Sequence, residues 1–305
     1  MSYIDLHTHS PHSDGTLPVE KMLCLAQELG LKYFAISDHN EVGAYTELPL
    51  YRHLFGGKIV PAVELTTLYR GEIIEILGYG IDPQAIAPFI KAHYPDNNTR
   101  RIKEAAIFAT TLKEKGATLS DEFVRRMCDD PESFEKLHSI GCRPYCLEEM
   151  RKYPENVRFF ESEKHFYTVP AQQYVRNYLF NPDFELYVDL SALFPSVEQV
   201  IDEIHKAGGL AFLAHTFVYS PHIAAALDTI TDTYTLDGLE CHYGTFTPEQ
   251  KEFMTAYCDR KGLYKSGGSD FHGNDVRPDN PMGRSAGQPI PQSLMDPWIQ
   301  KIKTI

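Results

Sequence analysis

The chain has 305 residues, 43% of them hydrophobic and 23% charged, the proportions of a globular protein with a sizeable core rather than of a disordered or fibrous chain. Forty-two acidic residues against 29 basic ones leave a net charge of −13, which disfavours polymeric nucleic acid as a partner because such a surface repels a phosphate backbone. No apolar run reaches the roughly 18 residues of a membrane helix, and the opening MSYIDLHTH lacks the basic and apolar regions of a leader, so a cytoplasmic protein without a membrane partner is expected. The six cysteines include one close pair, Cys142 and Cys146, with no second pair to complete a four-thiolate site; reduced, packed thiols are the expectation.

Residues 3–7 read as a strand, followed by a helix over 18–29 whose apolar Val19, Met22, Leu25, Ala26 and Leu29 recur at helical spacing. Strands are predicted over 32–37 and 58–64 with a helix at 44–55 between them, and Arg70-Gly71 separates two further extended runs as in a hairpin. After Asp82-Pro83 the pattern turns helical: 84–92, 100–115, 120–128, 133–138, 143–152 and 170–180. Strand–helix alternation resumes near Leu186, with strands at 210–215, 238–242 and 263–266 and helices at 197–207, 221–230 and 248–261. About seven strands in the main body predict an α/β fold, a distorted β/α barrel, formed by residues 1–82 and 185–305 and interrupted by a mainly helical inserted domain over 83–184.

His7 and His9 close the first strand, and a period of two places both on one face. An HxH pair alone is weak evidence, more often two satisfied histidines than a catalytic metal site. Other strand ends add weight: Asp38-His39, Glu64, His215, and Asp270 and His272 with the same alternation, while Asp14 lies just beyond the first strand. In β/α architectures the strand ends converge on one mouth, so these residues are expected to share one site. So many carboxylates and imidazoles are costly to bury without cations, and nitrogen and oxygen donors without thiolate suit manganese, iron or zinc.

The motifs DLHTHSPHSDGT (5–16), AISDHN (35–40), VPAVELTT (60–67), LAFLAHT (210–216) and SGGSDFHG (266–273) together resemble the PHP, or polymerase-and-histidinol-phosphatase, family of metal-dependent phosphoesterases. EIIEILGYGID at 72–82 and the helical section resemble its small bacterial branch that acts on nucleotides, and the likeness spans nearly the whole chain. The resemblance implies two or three divalent ions: one on His7, His9, Glu64 and Asp270, a second sharing Glu64 with Glu75 and His215, a third on Asp14, His39 and His272. Glu75 stands where the family usually has histidine, and a carboxylate there favours a harder cation such as manganese or iron.

The expected chemistry is hydrolysis of a phosphomonoester by metal-activated water, with Asp14, Glu64, His215, Asp270 and His272 at its centre. No GxxxxGK[ST] loop or GxSxG elbow supports an ATPase-type phosphate site or serine catalysis. By the resemblance, Arg100, Arg101 and Arg143 contribute to phosphate or nucleotide binding, although charged helix surfaces alone would also explain them. Tyr145, in place of the family's histidine, and His242, at the end of a strand, are further candidates for substrate contact. The resemblance implies as substrate a small nucleotide, a nucleoside 3′,5′-bisphosphate or monophosphate, and the inserted helices are expected to cap the site. Histidinol phosphate or another small metabolite is the alternative substrate, and a non-enzymatic binding module the alternative class.

Overall fold

A computed structural model describes residues 3–95, 97–137, 141–174 and 178–305. The chain divides into two compact units, Met1–Thr67 with Ile74–Lys91 and Ser196–Ile305, and Leu68–Ile73 with Ala92–Pro195.

In the first unit, β1 (Tyr3–Asp5), β2 (Leu31–Phe34) and β3 (Lys58–Ile59) form a parallel sheet in that order. A second sheet runs β4 (Ala62–Tyr69), β5 (Glu72–Tyr79), β6 (Leu210–Leu213), β7 (Gly238–Tyr243) and β8 (Tyr264–Gly268). Strands β6, β7 and β8 are parallel, but β5 runs antiparallel to β6, so the sheet is mixed. A short antiparallel pair, β9 (Arg284–Ser285) and β10 (Gln288–Pro289), follows. The fold is thus α/β with mixed sheets and a helical insertion. The single strand expected over 58–64 is two strands in different sheets, separated at Val60-Pro61, where proline has no N–H to give to a ladder.

Period-two alternation builds the core. Tyr33 and Ala35 face one apolar cluster with Ile4, Leu6, Leu77, Phe212 and Trp298, while Phe34 and Ile36 face another with Val19, Met22, Leu23 and Ala26 of the helix Val19–Glu28. Trp298 is fully buried, and its indole N–H donates to the Lys265 carbonyl at 2.8 Å. Capping boxes start two of the helices, Ser196 with Gln199 before Val197–Lys206 and Thr247 with Gln250 before Pro248–Lys261.

The second unit is helical, with Asn97–Glu114, Asp121–Asp129, Arg143–Met150 and Glu163–Thr168 as its main helices around Phe108, Leu112, Met127, Leu147, Phe166 and Tyr174. The helices expected over 133–138 and 170–180 run into 138–140 and 175–177, which lie outside the described residues. Among the described residues no helix is long and apolar enough to cross a membrane.

Candidate metal centre

Backbone pairing at the strand exits brings the motifs together. The Asp270 N–H donates to the His7 carbonyl at 2.8 Å and the His9 N–H to the Phe271 carbonyl at 2.9 Å, so HTH and DFH lie side by side in parallel register. On the other flank Ser37 donates to the Thr8 carbonyl, Glu64 to Asp38 and Asn40 to Glu64, which sets His39 beside Glu64. Ala214 donates to the Glu75 carbonyl and thereby brings His215 up to that strand. His215 and Asp270 have φ of 22° and 58°, left-handed values unusual for residues with a Cβ. Such strain concentrates at functional sites, where the surrounding hydrogen bonds hold it.

The side chains form four overlapping groups of closely spaced donor atoms: His9, Asp14, His39 and His272; His7, Glu64 and His215; His7, His9 and Asp270; and His39, Glu64 and Glu75. Glu64 is their hub, with Oε2 at 3.2 Å from His7 Nε2, 3.4 Å from His9 Nε2 and 3.0 Å from His39 Nδ1, and Oε1 at 2.9 Å from His215 Nε2. Glu75 reaches His39 Nδ1 at 3.2 Å and His215 Nε2 at 3.3 Å. Asp270 Oδ1 lies 3.0 Å from His9 Nε2, and Asp14 Oδ1 3.1 Å from His272 Nε2. His7, His9, Glu64, His215, Asp270 and His272 are buried, His39 and Glu75 partly so, and Asp14 is half exposed at the edge.

Burial alone would discharge these groups, and at His7, His39, His215, Glu64 and Glu75 the neighbours reverse it. Burial pulls His7 and His39 down, but Glu64, joined by Glu240 and Asp270 at His7 and by Glu75 at His39, holds both well above the usual histidine value. His215 is lifted against burial to about 10 by Glu64 and Glu75. His9 is pushed down to about 4, by burial and then by the neighbouring His39. Glu64 stays well below the carboxylate range despite burial, held there by His7 and His39, and Glu75 falls to about 2 despite burial and Glu64, through His39 and His215.

A cation fits this donor set. His7 Nε2, both ring nitrogens of His9, His39 Nδ1, His272 Nε2 and Glu64 Oε2 are buried without a hydrogen-bond partner, a concentration that buried polar atoms avoid unless something else satisfies them. The groups have the capacity for two or three divalent ions. The outward nitrogens are already fixed: His7 Nδ1 meets Glu240 Oε1 at 3.0 Å, and His272 Nδ1 meets the Asp270 carbonyl at 2.9 Å. A ring so held directs its other nitrogen inward, as metal-ligating histidines require.

Every metal ligand expected from the sequence is therefore brought into one centre, though the grouping differs in detail. His9 joins Asp14, His39 and His272 as well as His7 and Asp270, and His39 also reaches Glu64 and Glu75. His242 does not join the groups: a bulge between Glu240 and His242 breaks the strand's alternation, and burial with Lys251 nearby pushes its ring down to about 4.

The remaining candidates belong to the helical unit. Arg143 Nη2 bonds the buried Glu104 at 3.2 Å and its guanidinium lies over the Phe180 ring, Arg100 Nε is 3.7 Å from the same carboxylate, and Arg101 is half-buried. The Tyr145 hydroxyl accepts the Lys136 N–H at 2.9 Å while its ring packs on Phe134.

Sequence reasoning missed the residues that orient the ligands. Glu240 holds His7 and accepts the His215 N–H at 2.9 Å. Asp5, pushed up to about 6 by burial despite its bonds to Ser269, Gly283 and His7, ties the first strand to the last. Asp38 binds Ser10 and Ser13, and Tyr243 and Arg277 hold Asp270. The available signal was an acidic residue inside an apolar strand, in YIDL and GLEC, where a buried carboxylate needs a purpose.

The PHP domain profile matches residues 5–144. The chain is 27% identical over 274 residues to a 3′,5′-nucleoside bisphosphate phosphatase of Chromobacterium violaceum, covering 89% of this chain and 88% of that protein. It is 23% identical to a 5′-3′ exoribonuclease of Haemophilus influenzae, covering 88% and 89%. The solved structure of an amidohydrolase from Chromobacterium violaceum, with bound sulfate and no metal, superposes with a TM-score of 0.59 at 25% identity, covering 95% of this chain and 93% of that one.

Proposed function

We propose that the chain is a PHP-domain metal-dependent phosphoesterase, and that it removes phosphate from a nucleoside 3′,5′-bisphosphate or a nucleoside monophosphate. The observation that carries the reading is the cluster of buried, unpartnered imidazole and carboxylate atoms around Glu64. The proposed ligands are His7, His9, Asp14, His39, Glu64, Glu75, His215, Asp270 and His272, and their oxygen-rich composition favours manganese, with iron or zinc as substitutes. Backbone bonds from Leu6 to Gly267, Asp270 to His7 and Glu64 to Asp38 link the sheet ends and support reading the first unit as a distorted β/α barrel.

When bound, the ions would supply a nucleophile near neutral pH and offset charge on the phosphate oxygens. Glu64 contributes oxygens to both sides of the centre, while Glu240 keeps the His7 tautomer that presents Nε2 inward. His215 and His272 act as ligands rather than as general bases, since a coordinated imidazole has no lone pair to spare.

The test is phosphate release by metal-stripped protein reloaded with manganese, iron or zinc, on a panel holding a nucleoside bisphosphate, a nucleoside monophosphate and histidinol phosphate. Turnover is expected to be highest on a nucleotide. No release from either nucleotide with any ion, or full manganese-dependent activity in Asp270→Asn, would overturn the reading. The Haemophilus relative supports a second reading, release of nucleotides from an RNA in the 5′-to-3′ direction, which the same assay tests with an oligoribonucleotide.

A further inference from the structure

Two groups compete for the outer oxygen of Asp270. Its Oδ1 faces the histidines, at 3.0 Å from His9 Nε2 and 3.5 Å from His7 Nε2. Oδ2 accepts the Tyr243 hydroxyl at 2.6 Å and also the Arg277 guanidinium. Tyr243 is buried and already satisfies that oxygen, so the carboxylate does not require a second donor.

Arg277 differs from Tyr243 in its surroundings. Its side chain is 40% exposed, and its charge is felt by Asp14 and Glu64 as well as by Asp270. A guanidinium carries five N–H donors and cannot ligate a metal; the bond to Asp270 uses Nη1, and among the described residues the other guanidinium nitrogens have no hydrogen-bond partner. The turn after His272 delivers it there. Arg277 N–H donates to the Gly273 carbonyl at 3.0 Å, and Gly273 has a φ of 112° with no room for a Cβ beside Thr16. Asp275, the acid of that turn, is engaged by the Thr16 hydroxyl at 2.8 Å.

A cation that feels three of the candidate ligand carboxylates, Asp270, Asp14 and Glu64, and whose side chain is partly exposed, suits an incoming anion. We propose that Arg277 is a substrate-contacting residue of the metal centre, its guanidinium anchored on the outer oxygen of Asp270 and its free N–H groups binding a non-bridging oxygen of the phosphate under attack. The inference rests on the phosphoesterase reading and adds the group that grips the reacting phosphate from the first unit's own chain. Tyr243, by contrast, is a positioning residue that acts only through Asp270.

The experiment compares wild-type protein with Arg277→Met, Arg277→Lys and Tyr243→Phe, all saturated with manganese, measuring ions bound per chain by elemental analysis and the affinity for inorganic phosphate by calorimetry. Arg277→Met should retain the wild-type ion content and bind phosphate at least tenfold more weakly, with Arg277→Lys recovering part of the loss. Tyr243→Phe should show no phosphate loss beyond any loss of ions. Arg277→Met losing ions in step with Tyr243→Phe, with phosphate affinity per bound ion unchanged, would overturn the proposal and leave Arg277 a positioning residue, as would wild-type protein that binds no phosphate. Wild-type protein that binds phosphate through Arg277 yet hydrolyses no ester would sink the phosphoesterase reading while sustaining this one.

Discussion

At the scale of single residues, the centre depends on carboxylates that are not themselves in the ligand groups. Glu240 holds the His7 tautomer and the His215 backbone at once, so Glu240→Gln should keep the fold and weaken manganese binding by about 10- to 100-fold. An unchanged manganese titration would remove that role. Protonation sets a second expectation. With a pKa lifted to about 10, His215 carries a proton at neutral pH in the metal-free protein, and a cation must displace it. Its pairing with Glu64 and Glu75 contributes stability that is complete below the ordinary histidine value of 6.5 and fades as pH rises toward about 10. Ion affinity should therefore climb with pH across that window, with proton release on binding. Calorimetry at pH 7.5 in two buffers of different ionisation enthalpy measures the protons directly, and equal heats in both would contradict the assignment.

At the scale of elements, the strands position ligands only because their backbones approach closely. A Cβ at Gly268 of β8 would lie 2.1 Å from the His7 Cβ and 2.5 Å from its backbone nitrogen. Gly268→Ala should cost roughly 1–3 kcal/mol of stability and lower ion content as His7 is displaced; denaturant unfolding together with elemental analysis would expose an unaltered protein and so refute the argument. The strand–helix alternation and the first helix were readable because apolar period two and period 3.6 are strong signals, as the buried Val19, Met22, Leu23 and Ala26 illustrate. The division at Val60-Pro61 and the antiparallel β5–β6 pairing were not, since pairing direction depends on which strands meet in space. Nor was the bulge between Glu240 and His242 readable, since an alternating sequence gives no sign of where the ladder slips.

At the scale of the whole molecule, a net charge of −13 bears on how a polyanion arrives. Raising ionic strength from about 10 mM to 0.15 M shortens the screening length from roughly 30 Å to 8 Å. kcat/KM for a ten-nucleotide 5′-phosphorylated oligoribonucleotide should therefore rise with salt, and by more than it does for a nucleoside bisphosphate. A decrease, the usual response of proteins that bind RNA through basic surfaces, would mean that a local cationic path outweighs the overall charge and would favour the exoribonuclease reading.

Donor chemistry was decided in the sequence. HTH, SDH, VEL, AHT and SDFH at the ends of apolar runs already specify imidazoles and carboxylates without thiolate, and their spacing on separate strands specifies a shared mouth. Only the tertiary structure decided which donors converge: His9 faces two groups at once, and His39 reaches Glu64 and Glu75. It also brought Glu240, Tyr243 and Arg277 to the centre. The physical reason is that ligand identity is a property of side chains, which a sequence states outright, whereas orientation depends on register, bulges and turns between segments as far apart as His7 and Glu240. Those are set by packing, and become visible only once the strands have met.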